Sequence, residues 1–107
     1  MRTEYHKLVR DRIPEIIRRH GRPCETEIMS DEAYRQALLE KLREEAQEAI
    51  AGGAGQLVTE LADIYEVIDA IMAAFGIERE VVLAEQAKKR AQRGAFEERI
   101  RLLWAEG

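Results

Sequence analysis

Cysteine and histidine are scarce in this sequence, and their scarcity excludes several kinds of site. Cys24 is the only cysteine among 107 residues, and there are two histidines, His6 and His20. One cysteine cannot close an intrachain disulfide, and no group of cysteines and histidines has the spacing of a structural zinc site. Neither histidine has an evident partner, so we assign both to surface or packing roles. The composition fits a reducing compartment, and we predict a cytoplasmic protein.

Long apolar runs and an excess of positive charge are also missing. The N-terminal stretch MRTEYHKLVRDRIP lacks the apolar segment of a signal peptide. The most apolar stretch, residues 71–77, is far shorter than the roughly 20 residues of a membrane span. The formal net charge is −4, so the surface offers nucleic acid polymers no general attraction. We therefore expect neither a membrane nor a nucleic acid as partner.

The abundant residue types are typical of a helix-rich globular protein. Hydrophobic residues make up 46% and charged residues 36% of the sequence, a balance in which charge covers the outer faces of helices. A chain of 107 residues makes one modest core and gains from burial against other subunits. We predict a single domain over residues 1–107 that forms a homodimer or homotetramer.

Apolar periodicity and capping signals predict an all-α bundle of about four helices. A short helix lies between Pro14 and Gly21, residues 22–29 form an extended connector, and Ser30 is a good N-cap for the next helix. Because glycine is costly inside a helix, the GGAG sequence at 52–55 should be a turn between two long antiparallel helices. The apolar tail FEERIRLLWAEG is expected to dock on the bundle. The three longer helices are predicted over about residues 31–51, 56–75 and 78–92.

Two pairs of acidic residues flank the glycine-rich turn. Glu45 and Glu48 precede it, and Glu60 and Asp63 follow it. At about 100° per residue, Glu45 falls about 20° from Leu38, inside the apolar stripe of the second helix, with Glu48 on its margin. Periodicity gives the third helix a wide apolar face that includes Leu57 and Leu61 and is expected to be buried, and Glu60 and Asp63 fall on or beside that face. Since a short turn packs two helices antiparallel, all four acids are predicted to meet at one helix interface.

Acids at a helix interface predict a cation. An ionised carboxylate is costly to bury unless something compensates its charge. Hard divalent ions prefer oxygen ligands, and Mg²⁺, or Mn²⁺ in its place, is the usual choice when phosphate and water complete the coordination. The plain alternative is that acids at this spacing are common on solvated helices, where Lys41 or Arg43 could pair with them.

Basic residues on the fourth helix and in the N-terminal segment are candidates to contact phosphate. Lys88 falls among Val81 and Ala84 on the fourth helix, so its ammonium could reach a phosphate or extend to solvent along an apolar stem. Arg93 and Arg10 are further candidate phosphate contacts, and each taken by itself is a weaker candidate than Lys88.

Four segments, in this order, resemble the MazG-like branch of the all-α nucleoside triphosphate pyrophosphohydrolases. They are YHKLVRDRIPEII (5–17), KLREEAQE (41–48), ELADIYEVIDAI (60–71) and KKRAQRGAF (88–96). The pattern Glu-x-x-Glu followed by Glu-x-x-Asp is diagnostic of that family when it accompanies the N-terminal block. One departure is visible, because the glycine pair usual before the phenylalanine is here Gly94-Ala95.

The resemblance implies an activity and a set of site residues. The activity is the Mg²⁺-dependent hydrolysis of a nucleoside triphosphate to the monophosphate and pyrophosphate, which clears aberrant nucleotides, in subunits that associate through the acid-bearing helices. We choose Glu48 as the general base and name Glu45 as the second catalytic residue. The implied metal ligands are Glu45, Glu48, Glu60 and Asp63, and the implied phosphate contacts are Lys88, Lys89, Arg93 and Arg10.

Two other functions stay open at this point. A non-catalytic helical module could use the same helices to dimerise or to bind a protein partner. A phosphoribosyl-ATP pyrophosphohydrolase would keep the fold and the metal and change the substrate. No residue can be tied to a particular nucleobase.

Overall fold

The computed structural model describes all of residues 1–107 and contains helices but no strand. This confirms the all-α class, and the bounds of the three longer helices agree with the predicted ones to within one residue. The chain forms two compact units, Met1–Gly76 and Ile77–Gly107; one domain over residues 1–107 stays a prediction. The elements are α1 (Ile13–Arg19), α2 (Asp31–Ala51), a 3₁₀ turn (Ala54–Gln56), α3 (Leu57–Ala74) and α4 (Arg79–Arg93).

The helix ends form where capping residues predict them. Pro14 lies in the first turn of α1, and Gly21 follows that helix with a positive φ of 78°. The hydroxyl oxygen of Ser30 accepts a hydrogen bond from the backbone N–H of Ala33 at 3.2 Å, which satisfies a free donor at the start of α2. Residues 22–30 between these helices form neither helix nor strand.

Helices α2 and α3 form an antiparallel hairpin, which is the main helix–helix contact of the chain. Gly53 has φ of 70° in the turn, a conformation that favours glycine, and a Cβ atom on Gly52 would make a tight contact of 3.0 Å with the Cβ of Gln56. At the open end of the hairpin, Arg35 Nε donates to the carbonyl oxygen of Ala74 at 3.1 Å. The Arg35 guanidinium also lies 5.9 Å from the centre of the Phe75 ring.

The core is small. Its buried apolar side chains are Leu38 on α2 with Val67 and Met72 on α3. Leu57 and Leu61, which the periodicity assigns to the buried face of α3, are exposed. The reason is that α3 is apolar around most of its circumference, so periodicity alone cannot decide which sector is covered.

The C-terminal tail departs from the prediction. Gly94 ends α4 with φ of 83°, and no helix follows it. The apolar side chains that were expected to be covered are exposed: Phe96, Ile100, Leu103 and Trp104. A segment as short as the one after Gly94 is only marginally stable as an isolated helix in water. None of the helices combines the length and the apolar composition that a bilayer crossing requires.

Candidate metal centre

Three of the four predicted ligand acids come together at the turn end of the hairpin. Glu45 lies in the last turns of α2, and Glu60 and Asp63 lie in the first turns of α3, so the antiparallel packing sets them opposite one another. One carboxylate oxygen from each of the three lies within 4.8 Å of the others. Oxygen ligands of one Mg²⁺ or Ca²⁺ ion, at bonds of about 2.0–2.6 Å, are up to roughly 4–5 Å apart. The spacing therefore fits a shared divalent cation.

Two oxygens in this cluster are buried and have no partner. Glu45 is only 6% exposed, and its Oε2 atom makes no hydrogen bond. The Oε2 atom of Glu60 is also buried and unpartnered. Lys41 Nζ lies 3.5 Å from the other oxygen of Glu45, so the charge of Glu45 is compensated only on one side. A buried carboxylate oxygen without a donor is costly, and a cation would remove that cost.

The proton affinities show how crowded these acids are. Burial raises the pKa of Glu45, the neighbouring Glu48 carboxylate raises it further, and the Lys41 ammonium lowers it by less. Loss of hydration is also the first cause that raises the pKa of Glu60, followed by the charges of Glu48 and Asp63. Negative charge in this cluster is therefore destabilising in the metal-free protein.

Glu48 lies at the edge of the cluster. Its side chain is exposed, yet its charge acts on both Glu45 and Glu60. It does not belong to the close group of three oxygens. This follows from its position on α2, because at about 100° per residue it falls about 80° from the buried Leu38. Glu48 thus combines access to water with proximity to the cluster.

Arg10 is a residue of the N-terminal segment that contacts the cluster. Its Nη2 atom lies 2.7 Å from Asp63 Oδ1, and its Nη1 atom lies 3.9 Å from Glu66 Oε1. In the same segment Lys7 Nζ lies 3.7 Å from Glu44 Oε1 on α2, so these residues reach both helices of the hairpin. No periodicity in residues 1–12 indicates this path. The sequence assigns Arg10 to phosphate, whereas here it pairs with a predicted metal ligand.

The other predicted phosphate contacts lie on α4, in the unit formed by residues 77–107. Lys89 and Arg93 line an open groove beside Phe96, and Lys88 does not line it. All three side chains are exposed. Their role toward phosphate stays a prediction.

The fold and the cluster define a class: an all-α protein with a group of three carboxylates that could hold a metal ion. Comparison of the chain with protein-family models, with curated proteins and with solved structures gave no match in any of the three. The likeness to MazG-like pyrophosphohydrolases therefore rests on the four sequence segments.

Proposed function

We propose that this protein is a Mg²⁺-dependent nucleoside triphosphate pyrophosphohydrolase of the MazG-like type. The observation that supports the proposal best is the pair of buried, unpartnered oxygens of Glu45 and Glu60 in one cluster with Asp63. These residues belong to the two acidic motifs on which the family likeness rests. A cluster of this kind would be a liability in a helical hairpin that bound no cation.

The ligand set suits Mg²⁺. Glu45, Glu60 and Asp63 would hold the ion, and all of their donors are carboxylate oxygens, which Mg²⁺ and Mn²⁺ prefer. When bound, Mg²⁺ supplies positive charge that polarises the α-phosphoryl group and lowers the pKa of a nearby water. Glu48 stands at the exposed margin of the cluster. From there its carboxylate could serve as a further metal ligand or as the base that accepts a proton from the attacking water.

The chain's own residues would then act on water and phosphate. Water attacks the α-phosphorus, the bond from that phosphorus to the bridging oxygen breaks, and pyrophosphate leaves. Glu48 accepts the proton of the attacking water and returns it to solvent. Lys88, Lys89 and Arg93 would offset the charge of the departing pyrophosphate. Arg10 would join them once it leaves Asp63.

The proposal includes self-association and leaves the nucleobase open. Many large apolar side chains are exposed on this chain, which supports a homodimer or homotetramer.

Substrates range from aberrant nucleotides to ordinary triphosphates, with phosphoribosyl-ATP as a less favoured member of the same reaction class. A panel of standard and modified triphosphates, assayed for pyrophosphate release with Mg²⁺, would identify the preferred substrate.

A second candidate is a helical module that only dimerises or binds a protein. The exposed apolar side chains of α3 and of the tail favour it, whereas the buried carboxylate of Glu45 opposes it. Calorimetric titration separates the two, because a module without a metal centre takes up no Mg²⁺ or Mn²⁺ that is lost on neutralising Glu45.

The direct test of activity compares three variants. Glu48→Gln should lower Mg²⁺-dependent pyrophosphate release by roughly 10²–10⁴-fold if Glu48 is the general base. Asp63→Asn should lower it through loss of metal. Glu40→Gln is the matched control, because Glu40 lies on the same helix, exposed and paired with Arg43. Unchanged release in both Glu48→Gln and Asp63→Asn would exclude this site.

A further inference from the structure

The first ten residues of the chain form no helix or strand, yet ion pairs fasten them to both helices of the hairpin. Lys7 Nζ lies 3.7 Å from Glu44 Oε1 on α2. Three residues further on, the Arg10 guanidinium contacts Asp63 on α3. We call residues 1–10 the N-terminal strap. It belongs to the same compact unit as the hairpin and the acidic cluster.

The strap is held mainly by charge. It has three basic side chains and one acidic side chain, whereas α3 has four acidic residues and no basic one. Leu8 is half-buried, and every other side chain of the strap is exposed. Exposed ion pairs are weak and are screened by salt, and a segment with so few buried contacts opens locally at low cost. A change of charge at one anchor is therefore enough to move the strap.

The anchor on α3 is one of the three acids that could share a cation. Arg10 Nη2 lies 2.7 Å from Asp63 Oδ1. One carboxylate oxygen each of Asp63, Glu45 and Glu60 lies within 4.8 Å of the others. A divalent ion held by these oxygens would repel a guanidinium on the same carboxylate, whichever oxygen of Asp63 the ion takes. Closure of the strap and occupation of the cluster thus oppose one another.

We propose that the N-terminal strap is fastened to the metal-free cluster and opens when a divalent cation binds there. In the metal-free protein Arg10 holds the strap on Asp63. Arg10 leaves that carboxylate once a cation occupies the cluster, and the exposed pair of Lys7 is too weak to keep the segment in place. The released guanidinium can then pair with an anionic ligand. This device rests on the metal centre of the proposed function.

Limited trypsin digestion of the full chain measures the opening, because a protease cleaves a bond when the segment around it leaves the fold. The bond after Lys7 lies between the two anchors. The bond after Arg2 is the internal reference, since Arg2 pairs with Glu4 inside the strap. Mass spectrometry of the early products gives both rates. Ionic strength is held constant with NaCl, because salt alone weakens ion pairs.

Saturating Mg²⁺ should raise the rate of cleavage after Lys7, relative to the reference bond, roughly two- to fivefold. This is the factor by which loss of one exposed pair shifts an equilibrium, and coupling between the strap and the ion is reciprocal. In Glu60→Gln, which lacks a proposed metal ligand and keeps both anchors, Mg²⁺ should leave the relative rate unchanged.

A double variant separates the strap from the metal centre. Glu44→Gln with Glu66→Gln removes partners of Lys7 and Arg10, and neither acid is a proposed metal ligand. Without Mg²⁺ this variant should be cleaved after Lys7 at least about twice as fast as the parent. It should still bind Mg²⁺ in calorimetry. Glu40→Gln is the matched control, because Glu40 is exposed on the same helix as Glu44 and pairs within that helix.

Three results would overturn the proposal. The first is a parent chain that binds Mg²⁺ in calorimetry while the relative rate of cleavage after Lys7 stays the same or falls. The second is a double variant that is cleaved no faster than Glu40→Gln without Mg²⁺. The third is a parent chain that binds neither Mg²⁺ nor Mn²⁺, in which case the proposed metal centre fails as well. Calorimetry reports on the metal and trypsin on the strap, so the two failures are distinguished.

Discussion

Arg10 and Asp63 are joined by a short ion pair, with 2.7 Å between Nη2 and Oδ1. The guanidinium of an N-terminal residue thereby contacts one of the three acids that could share a cation. Arg10 and a divalent ion would compete for the carboxylate of Asp63, and Arg10 would also repel the ion by its charge.

Replacing Arg10 should therefore strengthen metal binding. Because the side chain of Arg10 is largely exposed, the pair contributes at most about 1 kcal/mol, so Arg10→Ala should lower the Mg²⁺ dissociation constant roughly two- to fivefold. Calorimetric titration measures this directly. Arg12→Ala is the control, because Arg12 lies in the same segment and pairs with Glu15 instead. Weaker Mg²⁺ binding in Arg10→Ala would mean that Arg10 holds Asp63 in its binding position.

Glu45 should make the stability of the metal-free protein fall as pH rises. Its pKa in the folded protein is raised above the ordinary value of 4.5, first by burial. The folded state then binds more protons than the unfolded state, so the contribution is fully present below pH 4.5 and is lost as pH rises through the folded pKa. Glu45→Gln should accordingly raise the free energy of unfolding at pH 7 in EDTA, with a smaller gain near pH 4.5.

Urea denaturation at the two pH values measures that difference. Glu40→Gln, on the exposed face of α2, should change stability little at either pH. A Glu45→Gln variant that is less stable than the parent at pH 7 in EDTA would show that the Lys41 pair outweighs the burial of the carboxylate.

Gly53 should be required for the turn that sets the acids opposite one another. Its φ of 70° is strained for any residue with a Cβ atom, so Gly53→Ala should lower the free energy of unfolding by about 1 kcal/mol. Gly55→Ala is the matched control, since Gly55 has no positive φ and its Cβ would meet no atom within 4 Å. Urea denaturation of both variants gives the comparison, and equal loss in the two would contradict the role of the turn conformation.

The sequence predicts the helices well because their signals are local. Ser30, Pro14 and the glycines after each helix act on their own backbone within a few residues. The position of Glu45 is also predicted, because a strict angular argument places it beside Leu38. These features need no knowledge of what lies across the interface.

The remaining features depend on contacts between distant residues. Arg10 reaches Asp63 from a segment without periodicity, so no pattern indicates their pairing. Helix α3 is apolar around most of its surface, and the sequence does not show that Val58 is exposed while Val67 is buried. For the same reason the tail residues such as Trp104 look like core residues, although they are exposed on the single chain.

Titration of Mg²⁺ into the metal-free protein, followed by calorimetry, tests the central claim most directly. The parent chain should bind the ion, and Glu45→Gln and Glu60→Gln should each lose that binding, while Glu40→Gln keeps it. Binding should also raise the melting temperature of the parent, since a ligand of the folded state stabilises it. Failure of the parent to bind Mg²⁺ or Mn²⁺, or equal binding by Glu45→Gln, would contradict the claim that these acids form a metal centre.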